Sequence, residues 1–203
     1  MQHKGFTVWF TGLPCSGKST LARALERRLC AIDLPVEILD GDEVRTRLTK
    51  GLGFSKADRD ENIRRIAYVA KLLTRARAVA IVAAVSPYRE IRDEARAEIG
   101  HFVEIYAECP IEECMRRDVK GMYAKAINGE IPNFTGVSDP YEPPLRPDVT
   151  VKTGAEEVGE SLAKILCRLG QLGYVPQYLV EPGIGPEEDQ RIVAKLRALG
   201  YLE

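Results

Sequence analysis

The chain has 203 residues, of which 45% are hydrophobic and 29% charged, and its formal net charge is −1. These values are ordinary for a globular protein and fit one α/β domain with its own core. The near-neutral charge argues against nucleic-acid binding, which usually goes with a basic excess. No stretch approaches the roughly 18 apolar residues of a membrane span, and the N-terminus lacks the features of a signal peptide. We therefore expect a cytoplasmic protein without nucleic-acid or membrane partners.

The apolar pattern predicts five strands that alternate with helices. Strands are expected over residues 6–11, 36–39, 79–85, 102–107 and 149–151. Helices are expected over residues 19–31, 58–77, 88–99, 111–117 and 156–169. This alternation predicts a parallel sheet with helices on both faces, and ligands bind such sheets at the carboxyl ends of their strands.

Two segments lack such a pattern. Residues 118–148 are punctuated by glycine and proline, and a loop of this length in a compact domain is usually a functional lid. We predict a main domain over residues 1–170 that includes this lid. Residues 171–203 form a C-terminal extension, with a short helix over residues 187–199 whose apolar face packs on the main domain, on a second subunit or on another protein. The role of the extension stays open.

A phosphate-binding motif follows the first strand. The sequence Gly-Leu-Pro-Cys-Ser-Gly-Lys-Ser at residues 12–19 matches G-x-x-x-x-G-K-[ST] between a strand and a helix. In such a P-loop, inward-facing backbone N–H groups and the positive end of the helix bind phosphate oxygens. Lys18 is expected at the β- and γ-phosphates of ATP, and the Ser19 hydroxyl on Mg²⁺. The predicted ATP-binding set is Gly12, Leu13, Pro14, Cys15, Ser16, Gly17, Lys18, Ser19 and Thr20.

The segments after the later strands favour a kinase over other P-loop proteins. The predicted strand 79–85 ends in Ser86 instead of the Walker-B aspartate typical of ATPases, and no Asn-Lys-x-Asp segment for guanine is present. Acidic residues instead follow the second strand, as in small nucleotide and metabolite kinases. Asp42 is predicted to contact Mg²⁺ or to accept the proton of an acceptor hydroxyl. The alternative is that Asp42 caps a helix over residues 43–48.

Several further segments resemble the adenylylsulfate kinase (APS kinase) family. They are residues 40–45, 52–55, 58–59, 61–65, 86–89, 117–121, 134–136 and 139–142. The resemblance covers about residues 4–169 and implies ATP-dependent phosphorylation of the 3′-hydroxyl of adenosine 5′-phosphosulfate (APS), giving PAPS in sulfate assimilation. It also implies a homodimer and allows association with ATP sulfurylase.

The resemblance assigns an acceptor pocket. Arg45 and Arg59 suit phosphate or sulfate oxygens because a guanidinium matches such groups in bidentate fashion. Phe54 and Phe134 are expected to sandwich the adenine, and Asn62 lies one helical turn beyond Arg59. The implied APS-binding set is Asp42, Arg45, Phe54, Arg59, Asn62, Val85, Ser86, Lys120, Phe134 and Thr135.

The catalytic set implied by the resemblance is Lys18, Asp42, Ser86 and Lys120. Lys120 is expected to reach the transferring group from the lid, and Arg117 and Thr153 to contact ATP. Covalent transfer through Ser86 is the alternative to direct transfer. We favour direct in-line transfer, because the acceptor brings its own hydroxyl and no histidine lies near Ser86 in the sequence.

The segment after the second strand departs from the family at one residue. Glu43 stands where the family usually has asparagine, so either its carboxylate faces outward or the affinity or identity of the acceptor differs. Two alternative functions follow. The first is a related P-loop kinase that acts on another nucleotide-linked hydroxyl, and the second is an inactive nucleotide-binding regulatory domain. The intact Lys18, Ser19 and Asp42 argue against inactivity.

Overall fold

A five-stranded, fully parallel sheet in the order β2-β3-β1-β4-β5 forms the centre of the protein. The computed structural model describes residues 3–179, so the helix predicted over residues 187–199 lies outside the described residues. The strands are β1 (Phe6–Thr11), β2 (Val36–Asp40), β3 (Val79–Ala83), β4 (Phe102–Glu108) and β5 (Val149–Lys152). The five predicted strands and the parallel sheet are thus confirmed.

Helices cover both faces of this sheet. They are α1 (Lys18–Cys30), α2 (Gly41–Arg47), α3 (Lys56–Arg75), α4 (Arg89–Ile99), α5 (Ile111–Arg117), α6 (Met122–Ile127) and α7 (Val158–Gln171). Successive strand residues face opposite sides, so Val8 and Phe10 pack in a core with α1 and α7. Trp9 packs in a second core with α3 and α4. No helix among residues 3–179 is long and apolar enough to cross a membrane.

β3 is shorter than its apolar sequence predicts. All five of its residues are buried, but the strand ends at Ala83 instead of residue 85. The side chain of Thr11 donates a hydrogen bond to the Val85 carbonyl at 2.8 Å, and Ser86 has a φ of +47°. These features turn the chain out of the sheet at its carboxyl end.

The lid contains a helix that the sequence pattern did not predict. α6 has six residues, too few for an apolar period to be recognised, and its buried positions are Tyr123 and Ala126. The Asp118 carboxylate accepts the N–H groups of Tyr123 and Ala124 at 3.0 and 3.1 Å and so fixes the start of the helix. The lid packs through a third apolar cluster, which contains Cys109, Cys114, Tyr123, Ala126 and Phe134.

Candidate active site

The P-loop joins β1 to α1 and encloses the side chain of Lys18. A Cβ at Gly12 would lie 2.6 Å from the Ala107 carbonyl oxygen, so this turn requires glycine. The Lys18 ammonium donates to the carbonyl groups of Gly12 at 3.0 Å and Leu13 at 2.7 Å. Burial removes water from the ammonium and lowers the pKa of Lys18 to about 8. The loop therefore holds a cation that gains from an added negative charge.

Ser19 contacts Asp40, which the sequence interpretation did not assign to the site. The Ser19 hydroxyl donates to Oδ2 of Asp40 at 2.6 Å. The other Asp40 oxygen accepts the N–H of Asp42 at 3.0 Å and caps α2. The capping role considered for Asp42 is therefore wrong, because Asp40 performs it. β3 lies between β2 and β1, so Asp40 at the end of β2 lies at the same edge of the sheet as the P-loop, and this strand order is not evident from the sequence.

Asp42 lies in the first turn of α2 and contacts the lid. Its carboxylate forms an ion pair with the ammonium of Lys120, and the two side chains are 74% and 57% exposed. The hydrogen bond that Lys120 donates to the Asp42 carboxylate raises the pKa of Lys120. An exposed pair of this kind is weak and can separate at little cost. Two residues predicted to be catalytic are thus in contact with each other.

Arg117 and Thr153, both predicted to contact ATP, lie together beside the P-loop. The Arg117 guanidinium donates to the Thr153 carbonyl at 2.6 Å and to Glu113 at 2.9 Å. A Cβ at Gly17 would lie 3.8 Å from both Arg117 and Thr153. Both residues therefore border the end of the phosphate-binding loop.

Three of the predicted acceptor residues form an aromatic and cationic cluster. The Phe54 ring is 47% exposed, and the guanidinium of Arg45 lies 4.4 Å from its centroid. The guanidinium of Arg59 lies 5.6 Å from the same centroid. Cations above an aromatic face are attracted by its electron density. The cluster offers positive charge beside an accessible ring.

Arg59 also connects the two segments that carry the predicted adenine-binding rings. Its Nε donates to the Phe54 carbonyl at 3.0 Å, and its Nη2 donates to the carbonyl of Asn133, next to Phe134. Oδ2 of Asp139 lies 3.7 Å from the same Nε. In this structure Arg59 therefore bonds protein groups and supports the pocket.

Asn62, predicted to hydrogen-bond the acceptor, is buried. Its Oδ1 accepts a hydrogen bond from the Thr49 hydroxyl at 2.7 Å.

The lid segment after Asn133 packs on the P-loop. Phe134 is buried and packs edge-to-face on Tyr123, whose hydroxyl donates to the Pro14 carbonyl at 3.1 Å. A Cβ at Gly136 would lie 2.9 Å from Leu13. Thr135 is 1% exposed, and its Oγ1 has no hydrogen-bond partner among the described residues. Since buried hydroxyls are normally bonded, a ligand group is one way to satisfy it.

Ser86 is buried at the carboxyl end of β3. Its hydroxyl accepts the indole N–H of Trp9 at 3.1 Å, and its carbonyl accepts a hydrogen bond from Arg92 at 2.6 Å. Burial and the bond from Trp9 favour a supporting role for the hydroxyl over that of a nucleophile. A catalytic role for Ser86 stays a prediction.

Glu43 is exposed and pairs with a residue of its own helix. Its carboxylate is 3.2 Å from Nε of Arg47, one turn further along α2, and the side chain is exposed. The outward orientation considered from the sequence is thus the one in the structure. The Glu43 carboxylate pairs with Arg47 and is exposed to solvent, which screens its charge. Its effect on an anionic acceptor is therefore small.

A parallel sheet with a P-loop after β1, a capped acidic helix after β2 and a lid that contacts both defines a P-loop kinase. The chain matches the adenylylsulphate kinase family over residues 4–152 and belongs to that family.

Relatives of known identity agree with this assignment. The adenylyl-sulfate kinase of Picosynechococcus sp. is 58% identical over 175 residues, covering 86% of this chain and 99% of that protein. A probable bifunctional SAT/APS kinase 2 of Sorangium cellulosum is 62% identical over 173 residues, covering 85% of this chain and 30% of that protein. The solved APS kinase of Mycobacterium tuberculosis, in complex with AMPPNP and APS, aligns with a TM-score of 0.79 and 41% identity. The alignment covers 83% of this chain and 99% of the Mycobacterium tuberculosis chain.

Proposed function

We propose that this protein transfers the γ-phosphoryl group of ATP directly to the 3′-hydroxyl of APS and releases ADP and PAPS, as sulfate assimilation requires. The observation that carries the proposal is the position of α2 between two half-sites. Asp40 caps this helix and holds Ser19 of the P-loop, whereas Arg45 on the same helix covers the Phe54 ring. Asp42 lies between them. One seven-residue helix therefore links a donor site to an acceptor site.

In the donor site, the buried Lys18 ammonium is the cation for the β- and γ-phosphates. Bound phosphate replaces the Gly12 and Leu13 carbonyls as its partner and favours the charged form of Lys18. Arg117 extends the positive border of the loop beside Gly17. These cations stabilise the charge that spreads over the phosphate oxygens during transfer.

The chemistry of Ser19 and Asp40 fits Mg²⁺. A hydroxyl and a carboxylate, 2.6 Å apart, are oxygen donors of the kind that this hard cation prefers. Within residues 3–179, no group of three or more His, Cys, Asp or Glu side chains is arranged to hold a metal, which is compatible with an ion held mainly by phosphate and water. When bound, Mg²⁺ would neutralise part of the negative charge of the phosphates. We propose Ser19 and Asp40 as its protein ligands, with the sequence-predicted Asp42 as the alternative to Asp40.

In the acceptor site, the accessible Phe54 ring supports stacking of the adenine. Arg45 supplies charge for the phosphosulfate, and the Thr135 hydroxyl, which has no hydrogen-bond partner within residues 3–179, is available for a hydrogen bond. Asn62 and Arg59 support this pocket through Thr49 and the loop carbonyls, respectively. Phe134 supplies the second aromatic wall.

The transfer step uses Asp42 and Lys120. The acceptor 3′-oxygen forms a bond to the γ-phosphorus, the bond from that phosphorus to the bridging oxygen of ADP breaks, and Asp42 takes the hydroxyl proton. Separation of the exposed Asp42–Lys120 pair frees the carboxylate for this role. It also frees the Lys120 ammonium to stabilise the transferring group.

A coupled assay for ADP release separates this function from its alternatives. Turnover with ATP and APS is expected, with little turnover of other nucleotides that carry a free 3′-hydroxyl. Preference for another nucleotide would identify the related kinase. ATP binding without consumption in the presence of APS would identify a regulatory domain, and either result would overturn the proposal. The homodimer, the association with ATP sulfurylase and the cytoplasmic location stay predictions.

A further inference from the structure

A buried arginine outside the proposed transfer chemistry occupies a central position in the contact network. Arg92 on α4 is 2% exposed, and no feature of the sequence pattern assigned it to the site. Its Nε donates to the Glu104 carboxylate of β4 at 2.9 Å. A buried charge is costly unless it is paired and fully hydrogen-bonded. This cost calls for a function of the guanidinium beyond filling space.

The remaining nitrogens of Arg92 reach two different loops. Nη1 donates to the Ser86 carbonyl at 2.6 Å, and Nη2 donates to the Glu142 carbonyl at 2.7 Å. These carbonyls belong to the turn after β3 and to the end of the lid. Because the guanidinium is a planar fork with several donors, one side chain fastens both loops and the Glu104 carboxylate.

The first of these loops is strained. Ser86 has a φ of +47°, which is unusual for a residue with a side chain and persists only where surrounding groups enforce it. The indole of Trp9 bonds the Ser86 hydroxyl, and Arg92 bonds the Ser86 carbonyl. The charged bond from Arg92 is the stronger of the two.

The second loop connects the Ser86 turn to the acceptor pocket. The Glu142 N–H donates to the Pro87 carbonyl at 2.8 Å, and the Tyr88 hydroxyl donates to Asp139 at 2.9 Å. Asp139 in turn lies 3.7 Å from Nε of Arg59. Arg59 bonds the carbonyls beside both predicted adenine-binding rings. A continuous set of contacts therefore runs from Arg92 to the acceptor pocket.

We propose that Arg92 is a positioning residue for the acceptor pocket. It holds the Ser86 turn and the end of the lid in the arrangement that fixes Asp139 and, through it, Arg59. Arg92 does not itself touch a substrate. The identity of the acceptor as APS rests on the proposed function, whereas the positioning role concerns the geometry of the pocket.

The first test compares Arg92→Lys with the wild-type chain. Lysine keeps the positive charge near Glu104, so the chain is expected to fold. Lysine cannot bond both loop carbonyls at once, so the two loops are no longer joined through this side chain. We expect the KM for APS to rise about tenfold or more, as for loss of a charged hydrogen bond. The KM for ATP should change much less, because Arg92 bonds no P-loop residue and reaches the P-loop only indirectly, through Thr11 at the end of β1 and through the lid residues that adjoin Asp139. Arg64→Lys is the matched control, since Arg64 pairs with Glu94 at the surface.

Arg92→Met with Glu104→Gln provides a second variant that leaves no unpaired buried charge. It should show the same selective rise in the KM for APS. An equal rise in both KM values, or a loss of thermal stability without a KM split, would assign Arg92 a general structural role. Unchanged kinetics in both variants would also overturn the proposal.

Amide hydrogen exchange of the free protein tests the positioning without reference to the acceptor. In Arg92→Lys, faster exchange is expected in residues 86–88 and 139–142 and not in residues 12–19. If the wild-type chain failed to turn over APS but this local change were observed, the proposed function would be wrong and the positioning role would stand. Unchanged exchange in both loops would sink the positioning role even if APS were turned over.

Discussion

At the scale of single residues, the proposed proton transfer depends on Asp42. Asp42→Asn keeps the size of the side chain but removes its basicity and its ion pair with Lys120. We expect kcat with APS to fall by about 10²–10⁴, the usual contribution of a general base. ATP affinity should be retained, because Asp40 and not Asp42 contacts the P-loop. Steady-state kinetics and equilibrium binding of an ATP analogue measure the two effects.

The neighbouring Glu43 provides the control for this variant. Glu43→Gln removes a carboxylate from the same helix, where it pairs with Arg47 at the surface. Near wild-type turnover is expected from it. Undiminished turnover by Asp42→Asn would transfer the role of base to another group.

Asp40 is the residue on which the proposed Mg²⁺ site depends. In Asp40→Asn the amide can still cap α2, since asparagine and aspartate are similar caps. The loss of charge should weaken the binding of Mg²⁺. We therefore expect the Mg²⁺ concentration for half-maximal activity to rise about tenfold or more. A Mg²⁺ titration at saturating ATP and APS measures this, with circular dichroism as the check on folding.

Asp93→Asn, which removes an exposed carboxylate from α4, is the control for the Mg²⁺ titration. It should leave the Mg²⁺ requirement unchanged. If Asp42→Asn raised the requirement and Asp40→Asn did not, the ligand would be Asp42, as the sequence interpretation proposed.

At the scale of elements, the contact between the lid and the P-loop depends on Gly136. Gly136 has a φ of +91°, and an added Cβ would lie 2.9 Å from Leu13. Gly136→Ala therefore strains the backbone and forces either the end of the Leu13 side chain or residues 134–136 to move. We expect a several-fold rise in the KM values for both substrates, since the lid borders both half-sites, together with a lower melting temperature. Kinetics and thermal denaturation measure these changes.

A second lid glycine separates the effect of backbone strain from the effect of the contact with Leu13. Gly129 has a similar φ of +78°, but an added Cβ would meet no atom within 4 Å. Gly129→Ala should lower the melting temperature through backbone strain and leave the KM values near those of the wild type. Equal KM values in the two variants would show that the contact with Leu13 does not support the site.

At the scale of the whole molecule, local sequence signals were sufficient for the parallel α/β class and for the position of the P-loop. The P-loop is contiguous in the chain, and the strands and longer helices lie where the apolar pattern predicts them. α6 escaped recognition because a six-residue helix shows less than two turns of any period. The acceptor residues were predicted from several segments that resemble the family in order and spacing, and not from the apolar pattern.

Contacts between distant segments could not be derived in the same way. Ser19 and Asp40 meet because of the strand order, and Arg92 bonds residues that precede it by 6 positions and follow it by 50. A sequence period describes one element and carries no information on which loops meet at a sheet edge. For the same reason the bonds of Arg59 to the loop carbonyls could not be derived from the sequence, and its role as an anion ligand stays a prediction.

The stability of the whole molecule should also depend on the protonation of Lys18. Burial lowers the pKa of Lys18 from 10.5 to about 8 in the folded chain, so between these values the unfolded chain binds more protons. The free energy of unfolding should therefore rise with pH across this window, relative to Lys18→Met, and the difference should be flat on either side. Urea denaturation measures it, and Lys125→Met, which removes an exposed ammonium, should keep the wild-type slope. Parallel curves for the wild type and Lys18→Met would mean that the ammonium is hydrated in the folded protein.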